Sequence, residues 1–135
     1  MEIIAALFMD DVQLRSVPGP STRIDLSGIQ FSAPAPAPPP VTVAPHLVVL
    51  VWNPPSGDQF GALEVVFHLA DDEGQPMGDE LARNAQPLDI QPGMFAYRLV
   101  RADLEFPELG TAVASCRIGS GNPTRVPYTL LPPVS

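Results

Sequence analysis

HLVVLVW, residues 46–52, is the stretch that decides the fold. It is apolar at every position from Leu47 to Trp52, and Asn53–Asp58, with Pro54, Pro55 and Gly57, ends it abruptly. Seven residues are too few for a stable buried helix, and three of them are β-branched valines. The run therefore reads as a central strand covered on both faces. Downstream, Ala62–Ala70 alternates. Leu63, Val65, Phe67 and Leu69 share one side, and Glu64, Val66 and His68 share the other. The acidic Asp71–Asp72–Glu73–Gly74 that follows has the composition of a tight hairpin turn.

The same two-residue period extends in both directions. Toward the C-terminus, Asp79–Ile90 is a weak strand with Leu81, Leu88 and Ile90 as core contacts, followed by a turn at Gln91–Gly93. Met94–Phe106 reads as one long strand bent near Arg101. Thr111–Ile118 places Ala112, Ala114, Cys116 and Ile118 on one face, and Gly119–Pro123 is a turn. In Arg125–Leu131, Val126, Tyr128 and Leu130 alternate with Arg125, Pro127 and Thr129. Pro127 cannot donate to a ladder, so this strand is expected at a sheet edge or with that position unpaired. The tail, 132–135, is expected to fray.

Toward the N-terminus, Arg23–Phe31 carries Ile24 and Leu26 on one face before the phase slips. A bulge at Ser27–Gly28 would absorb one residue and bring Ile29 and Phe31 inward. Ser16–Ser21 is a turn, and Ile3–Leu14 is a single buried strand. Between these runs and the opening stretch lies APAPAPPPVTVAP, 33–45, with six prolines in thirteen residues. Proline fixes φ and lacks an N–H, so this is an extended, stiff crossover. The expected architecture is one all-β domain over 1–135, an antiparallel β-sandwich of about eight strands with Ig-like or jelly-roll-like connections. No window supports a required helix, and there is no internal repeat.

Composition limits function. The 135 residues carry 45 % hydrophobic and 16 % charged side chains, a globular balance. Net charge is −8, and every basic side chain is one of seven scattered arginines. Nucleic acids and anionic membranes are bound by neutralising phosphates, so neither is an expected partner. A single cysteine rules out an intrachain disulfide. The apolar stretch Ile3–Met9 has no basic leader and no small-residue cleavage site, so a soluble, cytoplasmic, reducing setting is expected.

Chemistry-bearing residues are few. Cys116 lies mid-strand among small residues, where a free thiol behaves as a small hydrophobe. As a nucleophile it would need His46 or His68 beside it. Two histidines and one cysteine do not compose a zinc set. The acidic pairs Asp10–Asp11 and Asp79–Glu80, and the turn Asp71–Glu73, lack the alternation of a calcium loop. Gly119–Asn122 is glycine-rich, yet it precedes no helix and contains no lysine, so it is a hairpin turn and not a phosphate loop. Paired acids for glycoside hydrolysis would want an aromatic groove, and Trp52, Tyr97 and Tyr128 mostly alternate with core positions. No catalytic, cofactor-binding or metal-binding residue is therefore assigned.

The order of these landmarks resembles a family of small bacterial β-sandwich proteins of uncharacterised function. The matching segments are ALFMDDVQL, IDLSGIQF, the proline-rich crossover, HLVVLVW, LEVVFHLADDEGQPMG and QPGMFAYRL. The resemblance spans most of the chain and implies the sandwich fold, with no active-site residue to carry over. The expected function is a non-enzymatic protein-binding module. Self-association through apolar surface on Trp52, Val66 and Ala70 is one route, and strand addition at Arg125–Leu131 is another. The alternatives are a structural or accessory subunit of a phage-like multi-protein assembly, and a small-molecule or carbohydrate binder.

Overall fold

A computed structural model describes residues 1–17 and 22–134. The chain is all-β. Twelve strands run in order: β1 (Glu2–Met9), β2 (Asp11–Ser16), β3 (Thr22–Ser27), β4 (Ser32–Pro34), β5 (Val41–Val43), β6 (His46–Trp52), β7 (Phe60–Ala70), β8 (Pro76–Asp89), β9 (Phe95–Arg101), β10 (Leu104–Phe106), β11 (Gly110–Ile118) and β12 (Thr124–Leu131). Three-stranded β1-β6-β9 and five-stranded β4-β12-β11-β7-β8 sheets pack face to face as a sandwich. Every pairing is antiparallel except the short β4–β12 pair.

The core follows from alternation. Leu47, Val49 and Val51 of β6 meet Leu63, Val65 and Phe67 of β7, with Ala112, Ala114 and Cys116 beside them. Phe8 and Tyr128 close one corner, ring centroids 5.1 Å apart and tilted by 55°. The link after β3 seals that corner with backbone. Gln30 N donates to Phe8 O at 2.9 Å, and Thr129 N donates to Phe31 O at 2.8 Å. At the opposite corner Gln86 Nε2 donates to Leu99 O at 3.0 Å, tying β8 to β9. Buried Asn53 fastens one end, its Nδ2 donating to Ile90 O at 2.7 Å and Asp58 O at 2.9 Å.

Several expectations need correction. The described residues form twelve strands where about eight were expected. Ile3–Leu14 breaks at Asp10 into β1 and β2, Met94–Phe106 breaks at Ala102–Asp103 into β9 and β10, and the crossover contains β4 and β5. The bend expected near Arg101 is that second break. β5 and β10 pair with each other, carrying buried Leu104 and Phe106 over one end of the core. Gly28 does sit in the left-handed region, φ +67°, but it ends β3 and bulges nothing. Ile29 and Phe31 stay exposed instead of turning inward.

Arg125–Leu131 is an edge over its first half only: Arg125–Tyr128 pair with β11 alone, while β4 pairs with Thr129–Leu131. Pro127 lies outside that paired stretch, as its missing N–H requires. The outermost strands of this sheet are the three-residue β4 and, at the other side, β8, at 14 residues the longest strand. The expected turn at Ser16–Ser21 lies largely outside the described residues, as does Ser135. Pro132–Val134 are exposed and irregular.

Candidate functional site

The inner faces of the two sheets are spent on one core, so any recognition surface lies on the outer faces. Outward positions of β1-β6-β9 follow from register. Leu7 pairs with Val48, which pairs with Leu99. Ala5 pairs with Leu50, which pairs with Tyr97, and Trp52 pairs with Phe95. Ile4 is the extra residue of a bulge in β1 and is 60 % exposed. Leu99 is 52 % exposed and Phe95 42 %. The charged side chains of this face stand at its ends, Glu2 at one and Arg101 beside His46 at the other.

Toward the His46 end this face is closed, since Met9 and Val48, outward by register, are fully buried. The apolar run at 46–52 was expected to be covered on both sides; its core side is buried throughout, and on the outer side Val48 is buried while Leu50 and Trp52 are half-buried. Val48 lies between Leu7 and Leu99 in register. An apolar face three strands wide is the kind of patch that marks an interaction surface.

At the His46 end the face meets an arm. β2 and β3 form a separate antiparallel hairpin that extends from β1. Asp10 N donates to Ser27 O at 3.0 Å and to Gly28 O at 3.2 Å, and His46 Nδ1 donates to Asp10 O at 3.3 Å. Gln30 Nε2 donates to Asp10 Oδ1 at 3.3 Å. A shallow hollow of about 260 Å³ lies at this root, lined by Met9, Val12, His46, Leu99 and Arg101 among others.

The outer face of the five-stranded sheet differs. Glu64 accepts from Arg83 at 2.7 Å and from Arg117 at 3.2 Å, and Arg83 also pairs with Glu80 at 3.0 Å. Hydrogen bonds to Glu80 and Glu64 raise the Arg83 pKa further. Ser115, His68 and Arg125 line the same shallow surface. Trp52, expected to share a patch with Val66 and Ala70, lies on the opposite outer face from both, so those three residues do not form one surface.

The chemistry-bearing residues do not converge. Cys116 is buried in the core, and burial pushes its thiol up to about 12. His46 and His68 occupy outer faces of different sheets. Among the described residues no three His, Cys, Asp or Glu side chains gather as a metal site. Asp71 Oδ1 accepts from Glu73 N and Gln75 N, both at 2.9 Å, so the acidic turn is occupied with its own backbone. Gly119–Asn122 is the β11–β12 turn, with Gly119 at φ +57°. No helix among the described residues is long and apolar enough to cross a membrane.

No protein-family model, curated protein or solved structure matches this chain.

Proposed function

We propose that the chain is a non-enzymatic protein-interaction module whose binding surface is the outer face of the β1-β6-β9 sheet. One observation carries the reading: Leu50, Trp52, Phe95, Tyr97 and Leu99 are neighbours on this face by register and none of them is buried, Phe95 and Leu99 being exposed. Soluble monomers seldom expose such continuous patches unless they bind something. The edge of this sheet offers less, since Gln86 of β8 already occupies a carbonyl of β9. The partner is a protein, and neither a nucleic acid nor a membrane. The chain's charge is −8, and the apolar face presents no cluster of arginines.

A structural-subunit reading has a specific observation of its own, the arm. A hairpin that belongs to neither main sheet is a means by which one subunit grips another, and it serves an assembly as readily as a pair.

The test is a paired comparison of the full chain with Leu99→Asp, by sedimentation and by capture from the host lysate. The intact chain is expected in complexes, with itself or another protein, that Leu99→Asp loses while keeping its β-sheet spectrum. An intact chain that stays monomeric and recovers nothing sinks the reading.

A further inference from the structure

The hollow at the arm's root is built differently from the rest of the outer face, and its role goes beyond the interaction reading just given. We infer that it binds a small apolar carboxylate, the hydrocarbon body seated between Val12 and Leu99 and the carboxylate on Arg101.

Register lays the floor. Met9, His46 and Arg101 form one cross-strand row over β1, β6 and β9, and Leu7, Val48 and Leu99 form the next. Met9 and Val48 are fully buried, yet neither belongs to the core between the sheets. They are a small satellite cluster on the outer side. From the arm, half-buried Val12 lines the hollow together with Met9 and Leu99. The root that shapes it is fastened, with Asp10 N on Ser27 O at 3.0 Å and His46 Nδ1 donating to Asp10 O at 3.3 Å. The volume is about 260 Å³. A cavity of about 150 Å³ takes benzene, so this one takes a ring with a short acid chain. An apolar lining with a few polar groups at the rim is the usual build of a small-molecule pocket.

Charge selects an acid as the occupant. Asp10, Asp11, His46 and Arg101 stand around the hollow, and both carboxylates are engaged elsewhere. Asp11 follows the arm's polar face, opposite Val12, where its Oδ1 accepts from Val12 N at 2.9 Å and its Oδ2 from Gln13 Nε2 at 3.4 Å. Asp10 Oδ1 accepts from Gln30 Nε2 at 3.3 Å. Burial, and then the Asp10 charge, raises the Tyr128 pKa, so the Asp10 carboxylate bears on the core corner. Arg101 differs from Arg15, Arg83 and Arg117 in having no carboxylate within ion-pair distance among the described residues. An unpaired guanidinium beside an apolar hollow matches a carboxylate, which it grips through two parallel hydrogen bonds. An amine on the same hydrocarbon body meets like charge, and an alcohol forgoes the charge altogether.

The experiment titrates the full chain with 3-phenylpropanoate, 3-phenylpropanol and 3-phenylpropylamine and follows the backbone amides by NMR. The acid is expected to move the amides of Met9, Val12, His46, Leu99 and Arg101, with a Kd near or below about 1 mM, as suits roughly eleven non-hydrogen atoms. The alcohol should bind about tenfold more weakly, and the amine more weakly still. Arg101→Met keeps the unbranched stem and removes the charge. It should cut the acid's affinity about tenfold and leave the alcohol's unchanged, whereas Arg125→Met, on the opposite outer face, should alter neither. One measurement needs no variant: bound acid ties Val12 to the sheet, so it should slow amide exchange in β2 and β3. Unmoved amides, acid and alcohol binding alike, or an Arg101→Met chain that holds the acid undiminished overturns the inference. A polypeptide ending in phenylalanine presents the same chemistry, so a tripeptide with that end is titrated alongside. Equal or weaker binding of the tripeptide supports a free acid, and binding more than about tenfold tighter overturns that assignment in favour of a partner's C-terminus. Capture of a partner protein is read separately, so the interaction reading and this one can fail independently.

Discussion

The two outer faces of this sandwich share a backbone plan and differ in everything a solvent or partner would notice. Behind both, the inner faces carry the same alternation, Leu47-Val49-Val51 on one side and Leu63-Val65-Phe67 on the other. In front, the five-stranded sheet shows Glu64 bridging Arg83 and Arg117, and the three-stranded sheet shows Leu7, Val48, Leu50, Tyr97 and Leu99. A fold needs only one apolar face per sheet. The second apolar face is surplus to folding and hazardous for solubility, so its chemistry points to contact with something else.

If the difference is confined to the outside, equal damage inside must have equal effect. Phe8→Ala under the three-stranded sheet and Phe67→Ala under the five-stranded sheet should each destabilise by about 3–5 kcal/mol, read from urea unfolding. A cheap Phe8→Ala would mean that the two sheets are not held by one core, and the comparison of their exteriors would lose its basis. Cys116 probes the same interior by pH. Its folded thiol is raised from 9.0 to about 12 by burial, so the folded state holds that proton more tightly. Its contribution to stability is full below pH 9 and is lost as pH rises from 9 toward 12. Tyr128, raised by burial and then by the charge of Asp10, acts in the same direction at alkaline pH. Native protein at pH 8 should leave Cys116 unreacted with a thiol reagent, and urea should expose it.

The interior was legible in the sequence and the exterior was not, for a physical reason. Period-two burial prints itself on Ala62–Ala70 and Thr111–Ile118, because a single slip would turn their core residues to water. It also prints where β8 does not. Phe67 pairs with Ala82 but Leu69 with Met77, so β8 takes five steps while β7 takes two, around Gly78 at φ +70°. That irregularity scrambles the period, so the reading of Asp79–Ile90 as a weak strand missed its first three residues, Pro76–Gly78. Asp79, Glu80, Arg83 and Pro87 along it suit an edge that must not recruit another strand. Ile29 and Phe31 misled because the sequence does not record that Gly28 ends a strand. The outer face of the three-stranded sheet is half legible: 46–52 is apolar on both sides, but what its second side meets depends on neighbours about 40 and 50 residues away.

The arm sharpens the comparison at its junction. Gly28 holds φ +67°, and a Cβ there would collide with the Asp10 carboxylate. Gly28→Ala should destabilise the arm's root by about 1–2 kcal/mol, the usual cost of a left-handed residue with a side chain. Hydrogen exchange should report faster opening of amides in β2 and β3 with those of β6, β7 and β11 unchanged. Uniform acceleration throughout would make the arm part of the sandwich's cooperative unit, contrary to its packing.

The smallest effects discriminate best, because they separate a face made for water from one made for contact. Glu64→Gln removes the charge that Arg83 and Arg117 share, and exposed pairs of this kind are worth at most about 1 kcal/mol. Its loss of stability should shrink in 1 M salt, where screening acts within about 3 Å. Leu50→Thr on the other sheet should change monomer stability by a similarly small amount, but with the opposite dependence on salt for association. Salt that excludes itself from protein surface strengthens apolar contact, so sulfate should drive the unsubstituted chain together and drive Leu50→Thr less. If sulfate acts on both chains alike, the Leu50 face takes no part in contact, and the difference between the two exteriors would be one of composition alone.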